Sequence, residues 1–303
     1  MAVGAKKRTV STDTTVDSPK IDTKASAFRH LSPLIQWVRP VYRTAKVVTT
    51  LTEGLLIAFR KDMHAQPNQP EHTRIVRYFC RRLCESVGIE VRPLAPLPTE
   101  HALWVCNHVS WTDIPVIGSQ ARVFFLSKAE VASWPLIGRL AQAGGTLFIK
   151  RGSGDSSQVR EQIADFLRQK LPILFFPEAT TTDGIEVKRL HGRLLAAAIE
   201  TGTPIQPVLL CYEGADGNID PVIPYIGDMS LAEHLPKVLS HEKVIAHVQP
   251  LPAISPVGHS VHTLTEVLQE VMQKELKLLQ AKVLVEVPHH HHSHHHSPPR
   301  QSS

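Results

Sequence analysis

The chain has 303 residues, of which 42% are hydrophobic, enough for one large domain or two small ones with a sizeable core. Its 33 basic and 28 acidic residues give a net charge of +5, which favours an anionic partner: nucleic acid, an anionic membrane or a phosphorylated substrate. The four cysteines form no CxxC pair, so we expect small buried thiols in a reducing compartment rather than a metal site.

The N-terminal region is predicted to contain a disordered arm followed by helices. Residues 1–25 are rich in Ser, Thr, Asp and Lys and are predicted to be disordered. Residues 26–65 place apolar and basic side chains at helical spacing, and Pro40 is expected to divide them into an amphipathic helical pair. We expect this segment to dock on a membrane with cations such as Arg43 on lipid phosphates; helices packed on the main domain are the alternative.

The sequence has no apolar signal segment near its start and no charge-free apolar run of about 18 residues. We therefore expect no transmembrane helix. The resulting prediction is a peripheral or monotopic protein on the cytoplasmic face of the inner (plasma) membrane.

Residues 70–286 are predicted to form an α/β domain, which begins with a helix over residues 72–86 and a charged strand over residues 89–93. Short β-rich runs then alternate with helical patterns, which favours a mostly parallel central sheet flanked by helices. Residues 287–303 form a His-rich tail that we expect to be disordered and without a functional metal site. The later predicted elements are strands at residues 103–106, 123–126, 146–149, 173–176, 205–210 and 243–248, and a long helix near residues 261–284.

The clearest candidate for chemistry is the run from Asn107 to Asp113, which directly follows a predicted strand. His108 is a suitable base because imidazole is mostly neutral at pH 7. A carboxylate on its other ring nitrogen would fix the tautomer. On one helix the two side chains would point roughly 140° apart, so they can meet only if His108 precedes a helix and Asp113 lies in its first turn. A buried histidine beside a helix-capping aspartate is the alternative for this motif alone.

Polar side chains also follow two other predicted strands. If the strands are parallel, His108, Arg151 and Glu178 emerge at the same edge of the sheet, where open α/β sheets bind ligands. Arg151 can hold a phosphate through paired N–H groups. Glu178 can accept hydrogen bonds from hydroxyls or fix Arg151, and Lys128 is a further candidate for phosphate contact. A surface arginine, a loop salt bridge and a solvated lysine are the respective alternatives.

Four ordered blocks across roughly residues 100–212 resemble the glycerolipid acyltransferase family, in particular bacterial lysophosphatidic acid acyltransferases. The ordered combination is far more specific than any single block. The blocks are the NHxxxxD motif at residues 107–113, an arginine block at 148–151, an FPEGT-like block at 176–180 and a proline-containing strand at 203–208.

The resemblance implies that His108 removes the proton from an acceptor hydroxyl and that Asp113 orients it. It implies that lysophosphatidic acid is the acceptor and that acyl-CoA or acyl-carrier protein is the donor. It also implies docking on a membrane surface and neither a metal nor another cofactor. The candidate substrate-binding residues are Arg151, Glu178, Thr180 and Lys128.

Two departures from the family pattern concern the acceptor headgroup. Ala179 stands where the family usually has glycine, and the segment after Gly184 lacks the usual phenylalanine and paired lysines. A lyso-ornithine lipid or another lysolipid is therefore an alternative acceptor. A thioesterase and a non-catalytic peripheral membrane protein are alternatives of other classes. Nucleic-acid binding is not expected, because no helix-turn-helix, zinc or stacking motif accompanies the positive charge.

Overall fold

The computed structural model divides the chain into two compact units, residues 1–38 and residues 39–303. In the first unit the structure describes residues 33–38, which are helical. The predicted N-terminal arm lies outside the described residues, as does most of the His-rich tail. The described residues are 33–63, 70–149 and 156–289.

The N-terminal helix α1 spans Pro33–Arg60 and contains Pro40. The break that the sequence predicts at Pro40 is therefore absent, and the described part of residues 26–65 forms one helix rather than two. A proline removes one backbone hydrogen bond, and a helix of 28 residues continues past it. None of the described helices combines the length and apolar character needed to cross a bilayer.

The second helix and the first strand lie where the sequence predicts them. Helix α2 spans Pro70–Ser86 and strand β1 spans Ile89–Pro93. Between them Gly88 adopts a φ of +82°, a left-handed conformation that glycine accepts readily. A side chain at this position would also collide with the guanidinium of Arg43.

Seven strands form the sheet of the described residues, in the order β1-β7-β6-β2-β5-β3-β4. Every neighbouring pair is parallel except β6 with β7, so the predicted mostly parallel sheet is confirmed. Beyond β1, the strands are β2 (Leu103–Cys106), β3 (Phe124–Lys128), β4 (Leu147–Ile149), β5 (Ile173–Phe175), β6 (Ile205–Glu213) and β7 (Val244–Pro250).

Helices cover both faces of the sheet, which explains why its central strands are continuous apolar runs. In β2, Leu103 and Val105 join the core on one face, whereas Trp104 and Cys106 join the core on the other. The remaining helices are α3 (Asp113–Gly118), α4 (Ile137–Ala143), α5 (Ser156–Arg168), α6 (Ala196–Thr201), α7 (Leu231–Ser240) and α8 (Val261–Val283), with 3-10 turns at Ala129–Ser133 and Arg193–Leu195.

Arg43 fixes α1 to the end of α7. Its guanidinium donates to the backbone oxygens of Val238 and Leu239, at 3.3 Å each, and to that of His241. These carbonyls lie at the negative end of the helix dipole, where a cation is stabilised. Arg43 is only 9% exposed, so it does not face lipid phosphates as the sequence pattern suggested.

Arg43→Met should lower the free energy of unfolding by about 1.5–3 kcal/mol, because it removes hydrogen bonds from a charged donor but keeps an apolar stem. Urea denaturation would measure the change. Arg39→Met, at an exposed position on the same helix, is the matched control and should stay within about 0.5 kcal/mol of wild type. Equal losses in the two variants would contradict the assigned role of Arg43.

Candidate active site

His108 and Asp113 meet at the carboxyl end of β2. His108 lies in the turn that follows the strand, and Asp113 is the first residue of α3. The His108 Nδ1 atom and the Asp113 Oδ2 atom are 2.7 Å apart. This is the arrangement that their five-residue spacing requires, since a single helix would separate them.

The Asp113 carboxylate is fully buried and accepts four hydrogen bonds. Its Oδ2 atom accepts from the His108 ring and from the backbone N–H groups of Val109, at 2.7 Å, and Ser110, at 3.0 Å. Its Oδ1 atom accepts from the Tyr212 hydroxyl at 2.6 Å. A buried carboxylate needs such donors to remain charged, and here they also fix its orientation.

The imidazole of His108 is held on its edge and on its face. Its ring stacks on that of Phe176, with centroids 3.8 Å apart and planes 13° apart. Because Nδ1 donates to Asp113, the neutral ring keeps a lone pair on Nε2. No described residue bonds to that second nitrogen, and the His108 side chain lines a large cavity. The ring can therefore accept a proton from a molecule in this cavity.

Glu178 holds the loop of His108 through hydrogen bonds to backbone N–H groups. Its Oε1 atom accepts from the backbone N–H of His108 at 2.7 Å, and its Oε2 atom accepts from that of Lys188 at 2.8 Å. The side chain is buried, at 2% exposure. Burial raises the pKa of Glu178 to about 7, although the two backbone donors act in the opposite direction. The contact with an acceptor that the sequence predicts for Glu178 stays a prediction.

Three glutamines of α8 hold the segment at residues 184–190, which follows the FPEGT-like block. Gln269, Gln273 and Gln280 form hydrogen bonds of 2.8 to 3.4 Å with its backbone, as donors and as acceptors. They satisfy backbone groups that no neighbouring strand pairs. This arrangement positions the N–H group that reaches Glu178.

Ala179 adopts a left-handed backbone conformation, with a φ of +61°. This geometry explains why glycine is usual at this position in the family that the sequence resembles, because it costs an alanine roughly 1–2 kcal/mol. The turn is nevertheless formed, with the Ala179 N–H donating to the oxygen of Phe176 at 3.1 Å. Alanine in place of glycine therefore adds strain to the turn but does not change its backbone path.

The other candidate residues divide between described and undescribed positions. Lys128 ends β3 and lines the cavity, with its Nζ atom 4.0 Å from Glu130. Thr180 is exposed and also lines the cavity. Arg151 lies outside the described residues, although β4 runs parallel to β3 and ends at Ile149. Any phosphate contact of these residues stays a prediction.

Two features of the site were not foreseen from the sequence. Tyr212 contacts Asp113 from β6, and residues 220–230 cover the loop of His108. In that covering segment the Tyr225 N–H donates to the oxygen of Val109 at 2.9 Å. No local motif marks either feature, because the residues that meet are about a hundred positions apart.

A buried histidine links this covering segment to the loop of His108. The Trp111 Nε1–H donates to Nδ1 of His234 at 2.9 Å, and Nε2 of His234 lies 2.8 Å from the oxygen of Val222. Both ring nitrogens are therefore used, and burial lowers the pKa of His234. His234 thus has contacts on both ring nitrogens, whereas His108 keeps one ring nitrogen that no described residue contacts.

The cavity beside His108 has a volume of about 1590 Å³. That exceeds the roughly 300–1,000 Å³ of ordinary small-molecule pockets. Apolar residues of the helices line much of it, including Leu51, Phe79 and Leu140. Its lining can therefore accommodate a large apolar group next to the imidazole.

Glu178→Gln should remove a pH dependence of stability. The ordinary pKa of this side chain is 4.5, and burial raises it to about 7 in the folded protein. Between these values the native state binds the extra proton, so its free energy of unfolding falls as pH rises, by at most about 1.4 kcal/mol per pH unit. In urea denaturation, the free energy of unfolding of wild type minus that of Glu178→Gln should fall as pH rises through this window.

Glu270→Gln, which alters an exposed glutamate of α8, is the control and should leave the pH dependence unchanged. A wild-type stability that rises through the same window relative to Glu178→Gln would contradict the raised pKa.

The residues of this site lie in a region that matches a known protein family. The model of the family described as Acyltransferase matches residues 88–211, which include both the His108 loop and the FPEGT-like block. The solved structure of the 1-acyl-sn-glycerophosphate (LPA) acyltransferase PlsC from Thermotoga maritima has a TM-score of 0.62 and 18% identity. The match covers 82% of this chain and 97% of that one. This likeness supports the fold.

Two curated relatives are similar in sequence. The lyso-ornithine lipid O-acyltransferase of Pseudomonas aeruginosa is 42% identical over 225 residues, which cover 73% of this chain and 87% of the relative. The 1-acyl-sn-glycerol-3-phosphate acyltransferase of Neisseria meningitidis serogroup B is 31% identical over 163 residues, which cover 54% of this chain and 64% of the relative. With its His108–Asp113 pair beside an apolar cavity, the chain belongs to the glycerolipid acyltransferase family and is an acyltransferase that acts on lysolipids.

Proposed function

We propose that this protein transfers a fatty acyl group from a thioester to the free hydroxyl of a lyso-ornithine lipid. The observation that carries the chemistry is the orientation of His108. Its Nδ1 atom lies 2.7 Å from the Asp113 carboxylate, and its side chain lines the cavity. A base with this geometry can activate a hydroxyl directly, without a nucleophilic serine or cysteine.

In the proposed reaction, Nε2 of His108 takes the proton of the acceptor hydroxyl as its oxygen bonds to the thioester carbonyl carbon. The resulting imidazolium is stabilised by Asp113. The tetrahedral intermediate collapses, the carbon–sulfur bond breaks, and the departing thiolate takes the proton from the imidazolium. General-base catalysis contributes roughly 10²–10⁴-fold, and placement of both substrates supplies much of the rest. Acyl-CoA and acyl-carrier protein are the proposed donors.

The acceptor is inferred from the relatives and from the charges that line the cavity. The relative with the greater identity and coverage is named for lyso-ornithine lipid. Ornithine carries both an ammonium and a carboxylate. The residues that line the cavity include two acidic ones, Glu130 and Asp228, and two arginines, Arg189 and Arg193. Charges of both signs suit a zwitterionic headgroup.

Lysophosphatidic acid is the second candidate acceptor. The exposed guanidinium groups of Arg189 and Arg193 form no ion pair with another described residue, and both line the cavity. They could hold a phosphate, as Arg151 and Lys128 could in the prediction from sequence. The acidic residues of the same cavity would then face an anion, which is why we place this acceptor second.

We also propose that α1 docks the enzyme on the cytoplasmic face of the inner membrane. The helix carries a stripe of exposed apolar side chains at helical spacing, and Phe59 alone is 85% exposed. A stripe of this kind can lie in the lipid interface, which would bring lipid substrates to the cavity without a spanning helix. The other large apolar side chains exposed in this stripe beyond residue 40 are Val41, Tyr42, Val48 and Leu56.

His108→Ala should reduce acyl transfer to lyso-ornithine lipid by at least about 100-fold while leaving the thermal unfolding midpoint near that of wild type. Purified protein would be assayed with acyl-CoA and acyl-carrier protein against a panel of lysolipids, with products identified by mass spectrometry. His259→Ala, at a partly exposed histidine that contacts Thr263, is the matched control and should retain activity.

The same assay separates the alternatives. Faster transfer to lysophosphatidic acid than to lyso-ornithine lipid would overturn the proposed acceptor but not the chemistry. Release of free fatty acid without acceptor, at a rate equal to transfer, would indicate a thioesterase. Near-normal transfer by His108→Ala would contradict the proposed base.

Replacing Val48 and Phe59 together by serine should weaken binding to anionic phospholipid vesicles by at least about tenfold, because two apolar side chains would no longer enter the lipid. Vesicle flotation would measure the binding. The control replaces Val257 and Val285, which are 81% and 76% exposed elsewhere on the protein, by serine. Equal binding of both double variants would contradict docking through α1.

A further inference from the structure

We infer that Tyr212 is a positioning residue for acyl transfer: its hydroxyl holds Asp113 so that the other carboxylate oxygen faces His108. This inference rests on the proposed function, since it assigns a role within the same reaction. Tyr212 lies on β6, 99 positions from Asp113 in the chain, and follows the last residue that the family model matches.

The direction of the hydrogen bonds around Tyr212 is set by its neighbours. The Thr112 hydroxyl donates to the Tyr212 oxygen at 2.9 Å. The single proton of Tyr212 then points to Oδ1 of Asp113 at 2.6 Å. A phenol has one proton to donate, so the donation from Thr112 leaves the carboxylate as its recipient. Thr112 thus donates to Tyr212 and Tyr212 donates to Asp113, which accepts from the His108 ring on its other oxygen.

The surroundings keep the Tyr212 hydroxyl protonated. The side chain is 2% exposed, and burial raises the pKa of Tyr212 well above its ordinary value. The neighbouring Asp113 charge acts in the same direction. A hydroxyl that stays protonated is a permanent donor, so the contact with Asp113 persists across the pH range in which imidazole works as a base.

The two oxygens of Asp113 have different partners. Oδ2 accepts from the His108 ring and from two backbone N–H groups of the same loop. Among the described residues, Oδ1 accepts a hydrogen bond from Tyr212 alone. The loop N–H groups fix one end of the carboxylate, and Tyr212 fixes its rotation. Without the hydroxyl, a buried oxygen loses its donor and the plane of the carboxylate is no longer set.

Strand β6 fixes the position of Tyr212. β6 pairs with β2, which carries the catalytic loop, and with β7 on its other side. Asn107 reinforces this connection, because its side chain exchanges two hydrogen bonds with the backbone of Leu210, at 2.8 and 3.0 Å. The hydroxyl of Tyr212 is thus placed by the sheet itself.

Tyr212→Phe tests the inference, because it removes the hydroxyl and keeps the ring that packs in the core. We expect kcat to fall roughly tenfold with KM little changed. The reason is the loss of one charge-assisted hydrogen bond, from the Tyr212 hydroxyl to the carboxylate that orients His108. Tyr78→Phe, at an exposed tyrosine of α2, is the matched control and should keep full activity.

A double-mutant cycle with Asp113→Asn separates positioning from a general effect on folding. If Tyr212 acts through the carboxylate, Tyr212→Phe should cause little further loss of kcat in the Asp113→Asn background. A tenfold loss in both backgrounds, or a kcat within twofold of wild type for Tyr212→Phe alone, would overturn the inference.

A second measurement does not require turnover. The ¹⁵N resonances of the His108 ring, identified by their loss in His108→Ala, report which nitrogen carries the proton. Wild type should hold the proton on Nδ1, and Tyr212→Phe should show a mixture of the two tautomers. If no lysolipid is acylated but this mixture appears, the proposed function fails and the positioning role stands. An unchanged tautomer in Tyr212→Phe would contradict the role.

Discussion

The hydrogen bonds to one buried carboxylate determine how the active site is built. Asp113 is fully buried, and its four donors come from the His108 ring, from the adjacent backbone and from β6. A buried charge is tolerated only when its hydrogen bonds are made. The loop after β2 must therefore wrap around this carboxylate. That wrapping turns Nδ1 of His108 toward the carboxylate and leaves Nε2 without a partner among the described residues.

A second buried carboxylate completes the support of His108. Glu178 accepts a hydrogen bond from the backbone N–H of His108, and Asp113 accepts one from the His108 ring. Phe176 stacks on the face of that ring. The elements that carry these contacts follow strands β2 and β5, which are parallel neighbours in the sheet. Ligands bind at such strand ends in open α/β sheets. The sheet thus brings His108, Asp113 and the apolar cavity together.

The sequence predicted the local parts of this structure better than the long-range parts. The His108–Asp113 contact followed from a five-residue spacing that only a turn before a helix can satisfy. The role of Tyr212 could not be predicted, since nothing in a continuous apolar strand marks one hydroxyl as a partner. Arg43 was taken for a lipid contact because its spacing is that of an amphipathic helix, and only the packing of α7 against it shows otherwise. The antiparallel pairing of β7 likewise depends on how residues 214–243 return the chain, which alternation of elements does not encode.

The most direct test of this account is a crystal structure of the protein bound to a lyso-ornithine lipid. The free hydroxyl of the lipid should lie roughly 3 Å from Nε2 of His108, within hydrogen-bond reach, while Nδ1 stays on Asp113. A complex in which the hydroxyl lies far from the imidazole, or in which the ring has turned away from Asp113, would contradict it.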